Sequence, residues 1–565
     1  MRTRLRDQVV GHLKAIYHDL GIGEHRAIAA RILDEMGLDG AAAVPEPTGL
    51  PDQYEVMLIT YGDTFVGGLA DSGFSALSAV LRRYFDDVFS TVHILPFFES
   101  SSDGGFSVVD YRTIAARNGE WSEVAALVED RKLMVDLVCN HGSVRSEWFQ
   151  QFERGELPGR DWYKTAHRDD DLSAVVRPRT HPLLLDVATA DGERQVWATF
   201  SHDQVDFDFA NPDVLVEFCS IIAFYLKAGA SRIRLDAIAY LWKEVGTRCI
   251  HLPQTHEVVK LMRSLSSAAD PDSLLITETN VPHDENIAYF GDGDEAHVVY
   301  NFTLAPLLVW SAIAQQAGPL TSWLAQLEAP PSGCTFLNFI ASHDGLGLRP
   351  IEDLVDDAQL ELLLTAARDV GGDWSAYAAA DGLRPYELNV SLADLLAGVD
   401  GSQVDRFLVA HAAMLAVQGV PAIYVHSILA SAGDHRAVLA SGHLRDINRS
   451  QIPVDEVDAR LAAGWRSDLT FALCDMIRVR RNQPAFAPEA EQVVHDLHPD
   501  VVAVERRCDE QAILALHNFS ERACEVTVPE WALGHDLLTG SPRSDARTPV
   551  ALGPWQVCWL GQAHA

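Results

Sequence analysis

Ile233-Arg234-Leu235-Asp236-Ala237-Ile238-Ala239-Tyr240 is a short apolar run that closes on a carboxylate, and Leu274-Leu275-Ile276-Thr277-Glu278 repeats the pattern further along the chain. In extended backbone successive side chains alternate, so Arg234 and Asp236, two apart, project from the same side. Working outward, β-like apolar runs recur at residues 56–61, 92–98, 133–138, 232–235, 274–277, 298–302, 336–340 and 422–425. Helical periodicity falls between them at 74–84, 121–129, 213–227, 255–267 and 404–417. Strands alternating with helices in this way predict an α/β fold, a (β/α)8 barrel whose functional loops follow the C-terminal ends of its strands.

The remaining segments are additions to that barrel. Residues 1–50 carry helical periodicity and end in the connector Val44-Pro45-Glu46-Pro47-Thr48-Gly49. The barrel is expected over 51–141 and 213–490, interrupted after the third strand by an inserted domain, 142–212, that is polar and rich in Asp, Arg and Pro. A second gap, 345–400, follows the seventh strand. Short alternating runs at 501–505, 512–516, 524–528 and 556–560 predict a small C-terminal β domain, 491–565.

Composition excludes several classes. The 565 residues include 80 acidic and 44 basic ones, a net charge of −36 that repels nucleic acid and anionic lipid. High solubility is the plain reading of that acidity, and a salt-rich cytoplasm the alternative. No apolar run reaches the roughly 18 residues of a membrane span, and the N-terminus lacks a signal-peptide core. The eight cysteines are scattered without a CxxC pair, as buried thiols are. His251 and His256, five apart, do not share a helical face and point to no metal site. The expectation is a reduced, cytoplasmic enzyme without cofactor or metal.

Polar residues cluster where the strands end: Asp136, Asn140 and His141 at the third, Asp236 at the fourth, Glu278 at the fifth, His343 and Asp344 at the seventh. Any one of them has an ordinary structural explanation as a satisfied buried polar group; their recurrence at successive strand ends does not. A guanidinium beside Asp236 predicts a carboxylate held ionised, as a nucleophile requires, while the less compensated Glu278 keeps a proton. That pairing points to glycosyl transfer through a covalent intermediate, with the carboxyls roughly 5–5.5 Å apart.

Val135-Asp136-Leu137-Val138-Cys139-Asn140-His141, Arg234-Leu235-Asp236, Glu278 and Ser342-His343-Asp344 resemble, in order, the signature regions of the α-amylase clan, glycoside hydrolase family 13. The resemblance implies Asp236 as nucleophile, Glu278 as general acid/base, Asp344 as transition-state stabiliser, His141 and His343 as hydroxyl ligands, and Arg234 as the group orienting Asp236. Pro96-Phe97-Phe98 through Asp103, Phe106 and Tyr111, together with Arg177-Pro178-Arg179, Phe200, Gln204 and Asp446-Ile447-Asn448-Arg449, are similar to sucrose phosphorylase-like members. By that resemblance Asp103 and Arg449 clasp the far edge of one glucosyl unit, Phe106 and Phe200 wall it, and Gln204 joins the glucosyl site. Arg179 is the phosphate ligand.

The N-terminal helices, the stretch 242–256 and Glu278-Thr279-Asn280-Val281-Pro282-His283 resemble the subgroup acting on glucosylglycerate or glucosylglycerol. Asn280 stands where sucrose phosphorylases carry histidine, which argues against fructose. Around the acceptor the expected residues are Tyr240 (equally readable as a core tyrosine), Asn280, Tyr377 and Arg384. Tyr377 and the alanines after it supply no cation, so a neutral acceptor such as glycerol is favoured over glycerate. The implied partners are a small α-glucoside and inorganic phosphate as co-substrate. Sucrose or sucrose 6′-phosphate phosphorolysis, and α-glucosidase or transglucosidase activity, are the alternatives. Oligomeric state is not legible, a homodimer being one form the resemblance allows.

Overall fold

A computed structural model describes residues 4–562 apart from 42, 69–71, 380–381, 533 and 542–548. Eight strands form a closed parallel barrel: β1 (Met57–Thr60), β2 (Thr91–Ile94), β3 (Lys132–Leu137), β4 (Ala230–Leu235), β5 (Leu274–Thr277), β6 (Val298–Tyr300), β7 (Thr335–Asn338) and β8 (Val420–Tyr424). They neighbour one another in chain order, β8 returning to β1. Their residues are buried on both faces, inward by the barrel core and outward by the helices, which is why the runs are continuously apolar rather than alternating. β8 starts at Val420, ahead of the expected 422. Pro421 sits at its second position, where the chain enters the sheet and a missing N–H is tolerated.

Register sets the site. Arg234 pairs with Asp136 across β4 and β3, and Leu235 pairs with Thr277 across β4 and β5. Asp236 and Glu278, each the next residue, therefore leave the barrel side by side. At the opposite end the fully buried Arg232 donates from Nε and Nη2 to the two oxygens of Glu55, at 2.9 Å each, while Lys132 reaches Glu55 at 2.7 Å.

Helix Pro212–Lys227 precedes β4; Asn211 caps it, accepting the Asp213 N–H at 3.0 Å, and proline fills its first turn. Helix Pro253–Ala269 links β4 to β5. Two N-terminal helices, α1 (Leu5–Ile16) and α2 (Ile22–Glu35), lie over these: α1 on Pro253–Ala269 and α2 on Pro212–Lys227. Leu5, Val9, Leu13 and Ile16 form the buried stripe of α1, at the spacing of one helical face.

Three additions accompany the barrel, the first two of them at its mouth. Within 142–212 lies an antiparallel sheet of Thr165–Ala166, Gly192–Trp197 and Leu184–Thr189, after which Gln204–Asp206 pairs back onto His141–Ser143. Residues 345–400 are not simply loop: Asp373–Ala379 and Gly382–Asn389 form a long hairpin, with Leu346–Gly347 along its edge. Asp381 lies outside the described residues. Toward the C-terminus, Glu491–His498, Val501–Arg507, Ala512–Asn518 and Val557–Gly561 build a four-stranded antiparallel sheet. The run at 524 departs from expectation, since Cys524–Val526 pairs instead with Val550–Leu552 in a separate ribbon. None of the eight cysteines is in a disulfide, and no helix among the described residues is long and apolar enough to cross a membrane.

Candidate active site

At the mouth of the barrel Arg234 holds both strand-end carboxylates. Its Nη1 donates to Asp236 Oδ1 at 2.8 Å, and its Nη2 lies 3.8 Å from Glu278 Oε2. Beneath, Arg234 also contacts Asp136, whose other oxygen pairs with His93 at 2.7 Å. Burial alone would raise Asp136, but His93 and Arg234 hold it at about 2, so it stays ionised and keeps the guanidinium fixed. Ala237, at φ 49°, turns the chain directly after Asp236, and its N–H donates to Glu278 Oε2 at 3.0 Å. A non-glycine residue in this left-handed region is uncommon.

The expectation that Arg234 keeps Asp236 at low pKa needs correction. Burial pushes Asp236 up, and the charges of Glu278, Asp136 and Asp344 add to that against the single opposing Arg234. Burial raises Glu278 too, with Asp344 adding to it and Arg234, the Ala237 N–H and Arg445 opposing. Two carboxyls that cannot both ionise cheaply share one proton. Arg234 lies closer to Asp236, at 2.8 Å, than to Glu278, at 3.8 Å, while the Ala237 N–H is directed at Glu278.

Around this dyad the structure gathers most of the anticipated residues into one cavity. Asp103 is held by Arg449 Nη1 at 3.2 Å, and Arg449 also reaches Asp344 at 3.3 Å and the His343 carbonyl at 3.0 Å. Burial would raise Asp103, yet Arg449, Arg445 and Arg179 bring it down to about 2. Asp103 lies at φ 50°, and Gly104 follows at φ 59°, where a Cβ would stand 2.6 Å from the Tyr61 hydroxyl and 2.9 Å from Arg449 Nη1. Only glycine lets this turn approach so closely. Phe106 stacks on His343 with ring centroids 4.8 Å apart. Gln204 Nε2 donates to Asp103 Oδ2 at 3.3 Å and lies 3.1 Å from His141 Nε2. Burial pushes His141 down to about 4 and His343 well below the ordinary imidazole range, so both are neutral hydrogen-bonding groups.

Arg179, Phe200, Tyr240 and Asn280 line the same cavity. Among the described residues Arg179 makes one hydrogen bond, to the Pro178 carbonyl, and it lies over the rings of Tyr386 at 5.2 Å and Phe200 at 5.9 Å. Tyr240 meets Phe200 edge to face, and Asn280 packs against the backbone of Gly347 with its Oδ1 lacking a hydrogen-bond partner. Tyr377 and Arg384 do not line the cavity. They face each other across the hairpin, Tyr377 donating to Glu352 at 2.8 Å and Arg384 exposed. His251 and His256 flank Tyr289 and pair with Glu285 and Glu295, respectively.

Three cavity residues have no counterpart in the sequence expectations. Arg445 lies 2.7 Å from Asp344 and is gripped by both oxygens of Glu387, at 3.0 and 2.7 Å, and Tyr386 precedes Glu387 on the hairpin. Nothing in the local sequence marks them, because the segments that supply them meet only in three dimensions. A fourth missed residue, Arg349, sits behind the wall, 5.2 Å from the centre of the Tyr377 ring.

A (β/α)8 barrel whose mouth holds an Asp–Glu pair on one guanidinium belongs to the enzymes that work on glycosidic bonds. The α-amylase catalytic-domain model matches residues 84–329. The glucosylglycerate phosphorylase of Spirochaeta thermophila is 41% identical over 532 residues, spanning 90% of each chain. The glucosylglycerol phosphorylase of Marinobacter adhaerens is 26% identical over 445 residues, covering 76% of this chain and 88% of that one. Among solved structures, sucrose 6F-phosphate phosphorylase from Thermoanaerobacter thermosaccharolyticum superposes with a TM-score of 0.72 at 24% identity, over 82% of this chain and 94% of that one. The chain belongs to the α-amylase family, glycoside hydrolase family 13.

Proposed function

We propose that the protein is a retaining phosphorylase of a small α-glucoside, glucosylglycerate, releasing glycerate and α-glucose 1-phosphate. Asp236 attacks the anomeric carbon as Glu278 delivers its proton to the departing oxygen, giving a β-glucosyl ester of Asp236. A phosphate oxygen then attacks the same carbon from the vacated face, the bond to Asp236 breaks, and Glu278 takes up the proton that the phosphate loses. Two inversions leave the α configuration. No cofactor is called for, since phosphate is the second substrate.

The observation that carries phosphorolysis over hydrolysis is Arg179: a guanidinium on the cavity wall that, among the described residues, has a single backbone hydrogen bond and no carboxylate ion pair, and so can take two phosphate oxygens. Glycerate is favoured over glycerol because the relative named for it is 41% identical, against 26% for the glycerol enzyme. Asn280 argues against sucrose as substrate. The test is the reverse reaction: phosphate release from α-glucose 1-phosphate with glycerate, glycerol, fructose and fructose 6-phosphate offered in turn. Glycerate is expected to give the highest kcat/KM. A higher value with any of the other three contradicts the acceptor assignment.

A further inference from the structure

The other buried cations of the described chain are compensated. Arg232 is chelated by Glu55, Arg234 by Asp136 and Asp236, and Lys243 lies 3.0 Å from Asp206. Arg480 and Arg506 donate to backbone carbonyls, including those of Leu415 and Ala416. Arg349 differs. It is 9% exposed, its Nε has no hydrogen-bond partner, and it forms no ion pair among the described residues.

Arg349 lies over the Tyr377 ring, 5.2 Å from its centre, and Tyr377 meets Tyr386 edge to face at 6.1 Å; Tyr240 and Glu352 are the other groups whose charge bears on it. Glu352 already accepts the Tyr377 hydroxyl. Asp284 and Asp353 line a groove together with Arg349, but neither pairs with it. Tyr240 and Tyr386 are also walls of the catalytic cavity, and Tyr386 carries the unpaired Arg179 on its ring. Two guanidiniums that form no ion pair among the described residues thus bear on one wall. A buried cation left uncompensated is costly, and the cost falls when an anion arrives.

We propose that Arg349 is the positioning residue that makes this enzyme select an alcohol bearing a carboxylate. Its charge favours orientations in which the Tyr240 and Tyr386 hydroxyls donate into the cavity, where they hold the acceptor's carboxylate in the first half-reaction. Phosphate takes up the same positive wall in the second. This rests on the phosphorylase reading above and adds to it the residue that reads the acceptor's charge.

The experiment compares kcat/KM for glycerate and for glycerol, with α-glucose 1-phosphate as donor, in the wild type and in Arg349→Met, Arg349→Gln and Arg349→Lys. The wild type is expected to favour glycerate. The Met and Gln variants are expected to lower the glycerate-to-glycerol ratio at least about tenfold, chiefly through the KM for glycerate, while Lys retains most of it. Should the Arg349 variants not fold, Tyr386→Phe, which removes one donating hydroxyl, is expected to lower the same ratio. A wild type that favours glycerate and variants that keep its ratio within twofold would overturn the role of Arg349 alone. A wild type that favours glycerol overturns the acceptor assignment, and this role with it.

Discussion

At the scale of single residues, the proton shared between Asp236 and Glu278 is set by the charges around it. Glu278 must carry that proton to expel the alcohol, so the rate of the first half-reaction falls as pH rises through its pKa. Arg445, 2.7 Å from Asp344, is one of the charges that hold this pKa down. Arg445→Met removes that charge and leaves Asp344 less compensated. Both changes favour protonated Glu278, so the alkaline limb of kcat/KM for the glucoside is expected to move to higher pH. A limb that stays or moves down contradicts the charge assignment. Asp236 and Glu278 themselves were legible because each closes an apolar run, and the neighbour two residues away was legible as well. The upward shift of Asp236 was not: three of the charges responsible stand on other strands or loops, brought close only by barrel register.

At the scale of elements, the barrel strands separate function from stability along their length. The upper ends of β3, β4 and β5 carry the dyad and its supports, while the lower ends of β3 and β4, with Glu55 two residues ahead of β1, bury the Glu55–Arg232–Lys132 cluster. Burial would raise Glu55, but Arg232 and Lys132 outweigh it and lower its pKa. Glu55→Gln leaves Arg232 fully buried without its carboxylate and is expected to cost roughly 3–5 kcal/mol of unfolding free energy at neutral pH. A depressed carboxyl contributes stability above the ordinary carboxylate range and loses it as pH falls through the folded value. The difference between Glu55→Gln and wild type should therefore shrink in acid, as urea unfolding at neutral and acidic pH would show. An equal difference at both pH values contradicts this account. The strands were readable as apolar runs; the hairpin of Asp373–Ala379 and Gly382–Asn389 was not. Its alternation is broken by the alanines after Tyr377 and by Pro385 beside a register shift, so it looks like loop until its partner is known.

At the scale of the whole molecule, the N-terminal helices are outer packing for the barrel and take no part in the cavity. Removing residues 1–45 uncovers the helices Pro212–Lys227 and Pro253–Ala269 and is expected to lower Tm by at least about 5 °C. Thermal unfolding measures this directly, with kcat/KM expected to stay within about threefold; an unchanged Tm contradicts the packing role. The proposed function has the glucosyl ester of Asp236 pass its glucose to phosphate rather than to water. The most direct test of that claim measures product from glucosylglycerate with and without inorganic phosphate. The account predicts α-glucose 1-phosphate formation that saturates with phosphate and little glucose in its absence; glucose released at an undiminished rate without phosphate would contradict it.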